Sequence, residues 1–174
     1  LERMAADIDI ARELGADGVV FGCLRPDGSL DTEANAMLME HAKGLSVTFH
    51  RAFDRCADPR KALEELIAQG FDRILTSGQQ PTALEGTPLL KELHEQANGR
   101  IVLLAGCGVN EQNIATIAQA TAIHEFHFSA RTAVKSKMMF SNPDVYMGAK
   151  DADEDTLNIT SAERVANTIA QLCK

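Results

Sequence analysis

Ser46-Val-Thr-Phe-His-Arg-Ala-Phe-Asp54 decides how the rest of the chain is read. Val47, Thr48 and Phe49 are residue types that favour a strand. The run then breaks off into a titratable ring, a cation and a carboxylate: His50, Arg51 and Asp54. In parallel α/β proteins, binding and catalytic groups gather where strands end and loops begin. The segment therefore reads as a buried strand, Ser46–His50, that delivers chemistry at its carboxyl end.

Four other short apolar runs share this character: Gly18–Gly22, Arg73–Thr76, Ile101–Ala105 and His124–Phe128. The five starts lie 28, 27, 28 and 23 residues apart, and amphipathic segments fill the gaps. That rhythm predicts parallel strands joined by right-handed helical crossovers. Helix punctuation agrees. Asp58-Pro59 sets an N-cap before a proline, Gly70 closes that helix, and Gly15 stops the first one. Thr87-Pro88 and Gly99 suggest the same device for the next helix, and Thr160 with Glu163 suggests a capping box for the last. Alternation predicts Val47 and Phe49 facing the helices, with Thr48 and His50 facing inward. It likewise turns Phe126 and Phe128 outward, and His127 and Ser129 inward.

Five such units fit either an open doubly wound sheet or part of a (β/α)8 TIM-type barrel, which takes about 250 residues when complete. On the barrel reading the 174 residues are a single domain, 1–174, lacking three N-terminal strands. Leu1 is not an initiator methionine and no secretory signal stands at the start, so the front reads as cut. The exception to the rhythm is Arg131–Thr160, expected as a long binding or lid loop. In it Met138, Met139, Phe140, Val145, Tyr146 and Met147 would pack on something, and Asp151–Asp155 would form a solvated turn.

Composition narrows the partners. With 25 acidic against 17 basic residues, the net charge of −8 argues against a duplex nucleic-acid binder. No apolar run approaches a membrane span. Four widely spaced cysteines without a CxxC pair suit a reduced cytoplasmic protein.

Candidate chemistry collects at the strand ends. His50 is a possible acid or base, with Asp54 either orienting it or pairing with Arg51. His127 is a second, weaker candidate. Thr76, Ser77, Gly78 and Gln79 close the third strand and offer hydroxyls and an amide to a polar substrate. Gly106 and Gly108 flank Cys107 and allow close backbone approach to a ligand. Asn110, read as an N-cap, would aim helix amides at the same space, where Ser129 and Arg131 could complete an anion cup. For copper(I), the candidate thiols are Cys23, Cys56 and Cys107.

The run Val47-Thr-Phe-His-Arg-Ala-Phe-Asp54 with its continuation to Pro59, together with Leu75-Thr-Ser-Gly-Gln79 and Ala105-Gly-Cys-Gly-Val109, resembles the CutC family, whose members are called copper homeostasis proteins. The resemblance implies a cytoplasmic, homo-oligomeric (β/α)8 barrel of which this chain is the carboxyl-terminal five units. It implies copper as the ligand, with Cys56 as the metal candidate. The family cysteines proposed to hold copper lie largely in the absent front, as do a Glu and an arginine-rich loop of the same barrel mouth. Two readings follow: a copper-binding protein, or a TIM-barrel enzyme acting on a small phosphorylated or carboxylated metabolite with His50 as acid/base. On either, the isolated five units would be inactive because the mouth is incomplete.

Overall fold

A computed structural model describes residues 1–142, 144–149 and 153–173. Five strands, β1 (Gly18–Phe21), β2 (Ser46–Phe49), β3 (Arg73–Thr76), β4 (Val102–Gly106) and β5 (Glu125–His127), form one sheet. Their order is β1-β2-β3-β4-β5, and every pairing is parallel. Order decides between the two architectures left open by the rhythm. A doubly wound sheet reverses direction at a switch point, whereas a barrel adds each strand beside its predecessor. The sequential order is that of a TIM-type barrel, here an arc of five βα units.

The helices α1 (Glu2–Glu13), α2 (Thr32–His41), α3 (Pro59–Gln69), α4 (Thr87–Ala97) and α5 (Ile114–Thr121) accompany the strands. Side-chain alternation follows the expected phase. Phe21, Val47, Phe49, Ile74, Leu103 and Ala105 are buried and pack with Leu38, Leu63, Leu66, Leu90, Leu93, Ile114 and Ile117 of the helices. Phe21, Phe49 and Phe71 meet edge to face, with centroids 5.4 and 5.5 Å apart, a geometry that adds to simple burial.

The other face of the arc is open. Val20 is 61% exposed and Val102 36% exposed. On this concave side Arg73 donates to Glu125 (2.7 Å) and to Ser46 Oγ (2.9 Å), so three strands are tied at their amino ends. Each outer edge carries an apolar pocket. About 260 Å³ opens beside β1, lined by Met4, Ile8, Val19, Val20 and Phe21. About 330 Å³ opens beside β5, where Gln119 and His124 join Ala118, Ile123, Phe126 and Leu172 in the lining.

Several punctuation marks lie elsewhere than the sequence suggests. Asp58 does cap α3, accepting from the amides of Arg60 and Lys61, and Gly70 ends it at φ +82. Helix α4, however, is preceded by Gly86 rather than capped by Thr87, whose hydroxyl donates back to Leu84 O, and it ends on Asn98 in the left-handed region. The last helix, α6 (Ala162–Ala170), is capped by Ser161, not Thr160. Thr160 instead ends a strand: Arg131–Lys135 (β6) and Thr156–Thr160 (β7) pair as an antiparallel ribbon inside the segment expected to be a loop. The ribbon went unread because its register needs the partner strand. Asp151 of the acidic turn lies outside the described residues, and Asp153–Asp155 are exposed as expected.

Two glycines close the loop between β3 and α4. A Cβ on Gly86 would stand 1.8 Å from Ser77 O, and one on Gly78 (φ +68) would stand 2.4 Å from Gly86 O. Backbone passes over backbone here, and no side chain fits. Gly86→Ala should therefore cost at least about 2 kcal/mol. The expected drop in Tm is at least about 4 °C at this chain size. A melting curve by circular dichroism that does not shift would show the crossing to be looser than these distances imply.

Candidate functional site

The mouth of the arc is organised from Asp54. Past β2 the chain makes a short 3₁₀ turn, Arg51–Arg55, which returns the Asp54 side chain toward the end of β3. There its carboxylate, only 7% exposed, accepts from Thr76 Oγ1 (2.6 Å), Ser77 N (3.0 Å), Gln79 N (3.2 Å) and Arg51 Nε (2.7 Å). A carboxylate offers about four lone-pair sites, and these four donors fill them. Ser77 Oγ lies 3.1 Å from Asp54 but 2.6 Å from Gln80 O, and its one proton goes to the nearer acceptor. The Thr76 hydroxyl also accepts from Gly78 N (2.9 Å). Thr76 and Ser77 are fully buried. Their hydroxyls and the Gly78 amide thus shape the loop.

Of the two pairings open for Asp54, the geometry has the one with Arg51. The guanidinium is gripped twice, by Asp54 through Nε and by Ser77 Oγ through Nη2 at 2.9 Å. It remains 43% exposed, and its pKa is raised chiefly by the bond to Asp54. His50 stands one residue earlier and caps the 3₁₀ turn, its Nδ1 accepting from Ala52 N at 3.2 Å. With Nδ1 engaged in that bond, Nε2 is left as the ring's other hydrogen-bonding atom. Space for the ring comes from Gly22 of the neighbouring strand end, where a Cβ would lie 3.0 Å from Nδ1.

The turn after β4 joins the same mouth. Cys107 takes φ +83 between Gly106 and Gly108. The loop from β3 holds it from two sides: Ala83 N donates to Cys107 O (2.9 Å), and Cys107 Sγ donates to Pro81 O (3.1 Å). At Gly106 a Cβ would press on the tip of the Leu75 side chain (2.6 Å) and on His127 Cβ (3.3 Å), so a larger residue needs Leu75 to shift. Non-glycine residues with left-handed backbone stand at three successive strand ends, Gln79 (φ 57), Cys107 (φ 83) and Ala130 (φ 45). Such conformations concentrate where function over-determines the backbone.

Asn110 is not the N-cap. Its Oδ1 accepts from Gln112 N (2.8 Å), its own amide donates to Asn113 Oδ1 (2.9 Å), and α5 begins at Ile114 after Asn113. An Asx turn thus delays the helix, and Asn113 and Ile114 amides both donate to Asn110 O. The helix start contributes less to an anion cup than the sequence suggested. Ser129 and Arg131 follow β5 at the same end and are exposed; Ser129 O accepts from Thr160 Oγ1 (3.2 Å), and Arg131 O from Arg164. His127 lies exposed on the concave face beside Gly106.

Two of the three candidate thiols have surroundings that keep them protonated. Cys56 is buried, with Gln79 Nε2 donating to its carbonyl (2.7 Å) and lying 3.6 Å from its sulfur. Burial, followed by the Asp58 and Asp54 charges, pushes its thiol up to about 11. Burial also raises Cys23, whose backbone is pinned in both directions by the buried Asn35. Soft metals take thiolates, and both environments disfavour them. Among the described residues no three His, Cys, Asp or Glu side chains converge as a metal cage. Asn35, an amide inside a helix, is a structural residue that the sequence reading missed; its signal was a polar residue on the buried face of α2.

The raised Cys56 thiol carries a sign. Relative to an ordinary thiol near 9.0, the folded state holds its proton more tightly. The associated stability is complete below pH 9.0 and is lost as pH rises through about 11. At pH 8, iodoacetamide followed by mass spectrometry should label exposed Cys173 well before Cys56. Equal rates would show the Cys56 pocket to be open.

The CutC family model matches residues 1–132. A family protein CutC of Bacteroides thetaiotaomicron is 60% identical over 167 residues, covering 95% of this chain and 67% of the relative. One of Vibrio cholerae is 45% identical over 174 residues, covering 99% and 68%. The structure described as the copper homeostasis protein CutC of Streptococcus agalactiae superposes with a TM-score of 0.68 at 37% identity, over 71% of this chain and 60% of that one. A structure described as native KDPGal reaches 0.58 at 15% identity over 97% of this chain and 64% of that one, a likeness of fold alone. The chain thus spans about two thirds of the length of its curated relatives and less of the solved homologue. Matched by the family model over residues 1–132 and by relatives of up to 60% identity, the chain belongs to the CutC family.

Proposed function

We propose that this chain forms most of the mouth of a cytoplasmic (β/α)8 barrel that binds a small carboxylated or phosphorylated metabolite, and that its part in copper homeostasis runs through that ligand. The observation that carries the reading is the Arg51 guanidinium, fixed by Asp54 and Ser77 yet still exposed. A cation whose orientation is already set loses little freedom on binding an oxyanion, and Arg suits carboxylate and phosphate oxygens. Asp54 is then a positioning residue. His50, with Nδ1 held and the ring at the strand end, is the acid–base group. Gly106, Gly108, Ser129 and Arg131 line the side of the mouth across β4 and β5.

Barrel completion belongs to the same proposal. The open concave face, the free edges of β1 and β5 and the apolar pockets beside them support three further βα units. The greater length of the relatives is in keeping with that number. Direct copper binding through Cys56 is the competing reading. The copper homeostasis name carried by the Streptococcus agalactiae relative supports a link to the metal, but the buried Cys56 thiol does not favour coordination.

Two titrations of the full-length protein separate the readings. Calorimetry should detect binding of inorganic phosphate or malonate that Arg51→Met weakens by about 10- to 100-fold, the equivalent of one charged hydrogen-bonded contact. Anaerobic competition for Cu(I) should show no tight site that Cys56→Ser removes. Stoichiometric Cu(I) binding lost in Cys56→Ser, with anion affinity absent or indifferent to Arg51, would overturn the proposal.

A further inference from the structure

The turn after β4 leaves two backbone donors at the mouth. Among the described residues, the amides of Gly108 and Val109 have no acceptor. Val109 is buried, where an unpaired N–H is costly. Neighbouring bonds fix where both amides point. Cys107 O accepts from Ala83 N of the β3 loop (2.9 Å), and a trans peptide sets its N–H opposite its C=O, so the Gly108 N–H points away from that loop. Gly108 O accepts from Asn110 Nδ2 (3.0 Å) and Asn113 Nδ2 (2.8 Å), so the Val109 N–H points away from the start of α5. The next strand end adds Arg131, which is exposed and whose guanidinium has no partner among the described residues.

The second donor set is the Arg51 guanidinium. Asp54 and Ser77 take its Nε and Nη2 atoms, which lie on one edge. The end-on edge, formed by Nη1 and the other Nη2 hydrogen, stays open, and that fork fits two oxygens of one oxyanion. Arg51 and the β4 turn are held by the same β3 loop. Ser77 Oγ, which accepts from Arg51, donates to Gln80 O (2.6 Å), and the next carbonyl, Pro81 O, accepts from Cys107 Sγ (3.1 Å). Neighbouring strands lie about 4.8 Å apart, so the two donor sets stand about one to two strand spacings from each other.

We propose that the mouth takes a small ligand with two oxyanionic ends, a phosphorylated carboxylate. Its phosphoryl group sits on the Arg51 fork, and its carboxylate sits on the Gly108 and Val109 amides beside Arg131. This rests on the reading of Arg51 as the ligand's cation, and it narrows a carboxylated or phosphorylated ligand to one that is both. Because the Gly108 N–H points away from the loop that holds Arg51, the two donor sets receive separate groups. Successive backbone amides hold anions, and two of them match the two oxygens of a carboxylate. Asp54 already balances the charge of Arg51, so Arg131 supplies the cation that a second anionic end requires.

Calorimetry of the full-length protein tests this with phosphonoacetate and its homologues of two and three methylene groups, set against methylphosphonate, which carries the phosphoryl end alone. The best of the bifunctional anions is expected to bind about 100-fold or more tightly than methylphosphonate. Arg131→Met should remove about 10-fold of that advantage and leave methylphosphonate unchanged, whereas Arg51→Met should weaken both. In proton–nitrogen correlation spectra the Gly108 and Val109 amides should shift with the bifunctional anion and not with methylphosphonate. Equal affinity for methylphosphonate and the bifunctional anions, with binding still dependent on Arg51, would overturn this inference and leave the anion-binding mouth standing. A gain that neither shifts those amides nor falls in Arg131→Met would put the carboxylate elsewhere and overturn it as well. No dependence on Arg51 for any of these anions would overturn both readings.

Discussion

The Asp54 carboxylate joins the ends of two neighbouring strands, and the mouth of the arc depends on that joint. Four donors converge on it from the β2 turn and the β3 loop. A nearly buried carboxylate is tolerable only when so fully satisfied. The consequence is directional. Because Asp54 and Ser77 between them hold two nitrogens of Arg51, the guanidinium has one orientation to offer. Because the β3 loop must reach Asp54 with its backbone, it folds back tightly enough that Gly78 and Gly86 touch, and its next residues cross to Cys107.

The same joint shapes the surroundings of the Cys56 thiol. Gln79, placed by its amide's bond to Asp54, turns its side-chain amide onto Cys56 and closes the pocket over that sulfur. Cys107 Sγ donates to Pro81 O at 3.1 Å. The network that orients Arg51 thus also engages the loop and the Gln79 side chain beside Cys56.

Much of this was legible in the sequence, for identifiable reasons. Strand rhythm, Val47/Phe49 alternation, the Asp58-Pro59 cap and the Gly70 stop are local signals that the fold keeps. The strand ends gave His50, Arg51 and Asp54 as candidates, but not their partners. Whether Asp54 meets His50 or Arg51 depends on a 3₁₀ turn and on a loop 23 residues away in the chain. Asn110 misled because an Asx turn and an N-cap share one sequence signature. The β6–β7 ribbon was missed as structure because its two strands are separated by 20 residues, though its apolar residues were noticed.

The central claim is that Asp54 acts on ligand through Arg51. A double-mutant cycle in the full-length protein, reading phosphate affinity, tests it directly. Arg51→Met and Asp54→Asn should each weaken binding, and the pair should be little worse than Arg51→Met alone, leaving a coupling of about 1–2 kcal/mol. Additive losses would mean that Asp54 and Arg51 contribute independently, and would contradict the positioning role assigned to Asp54.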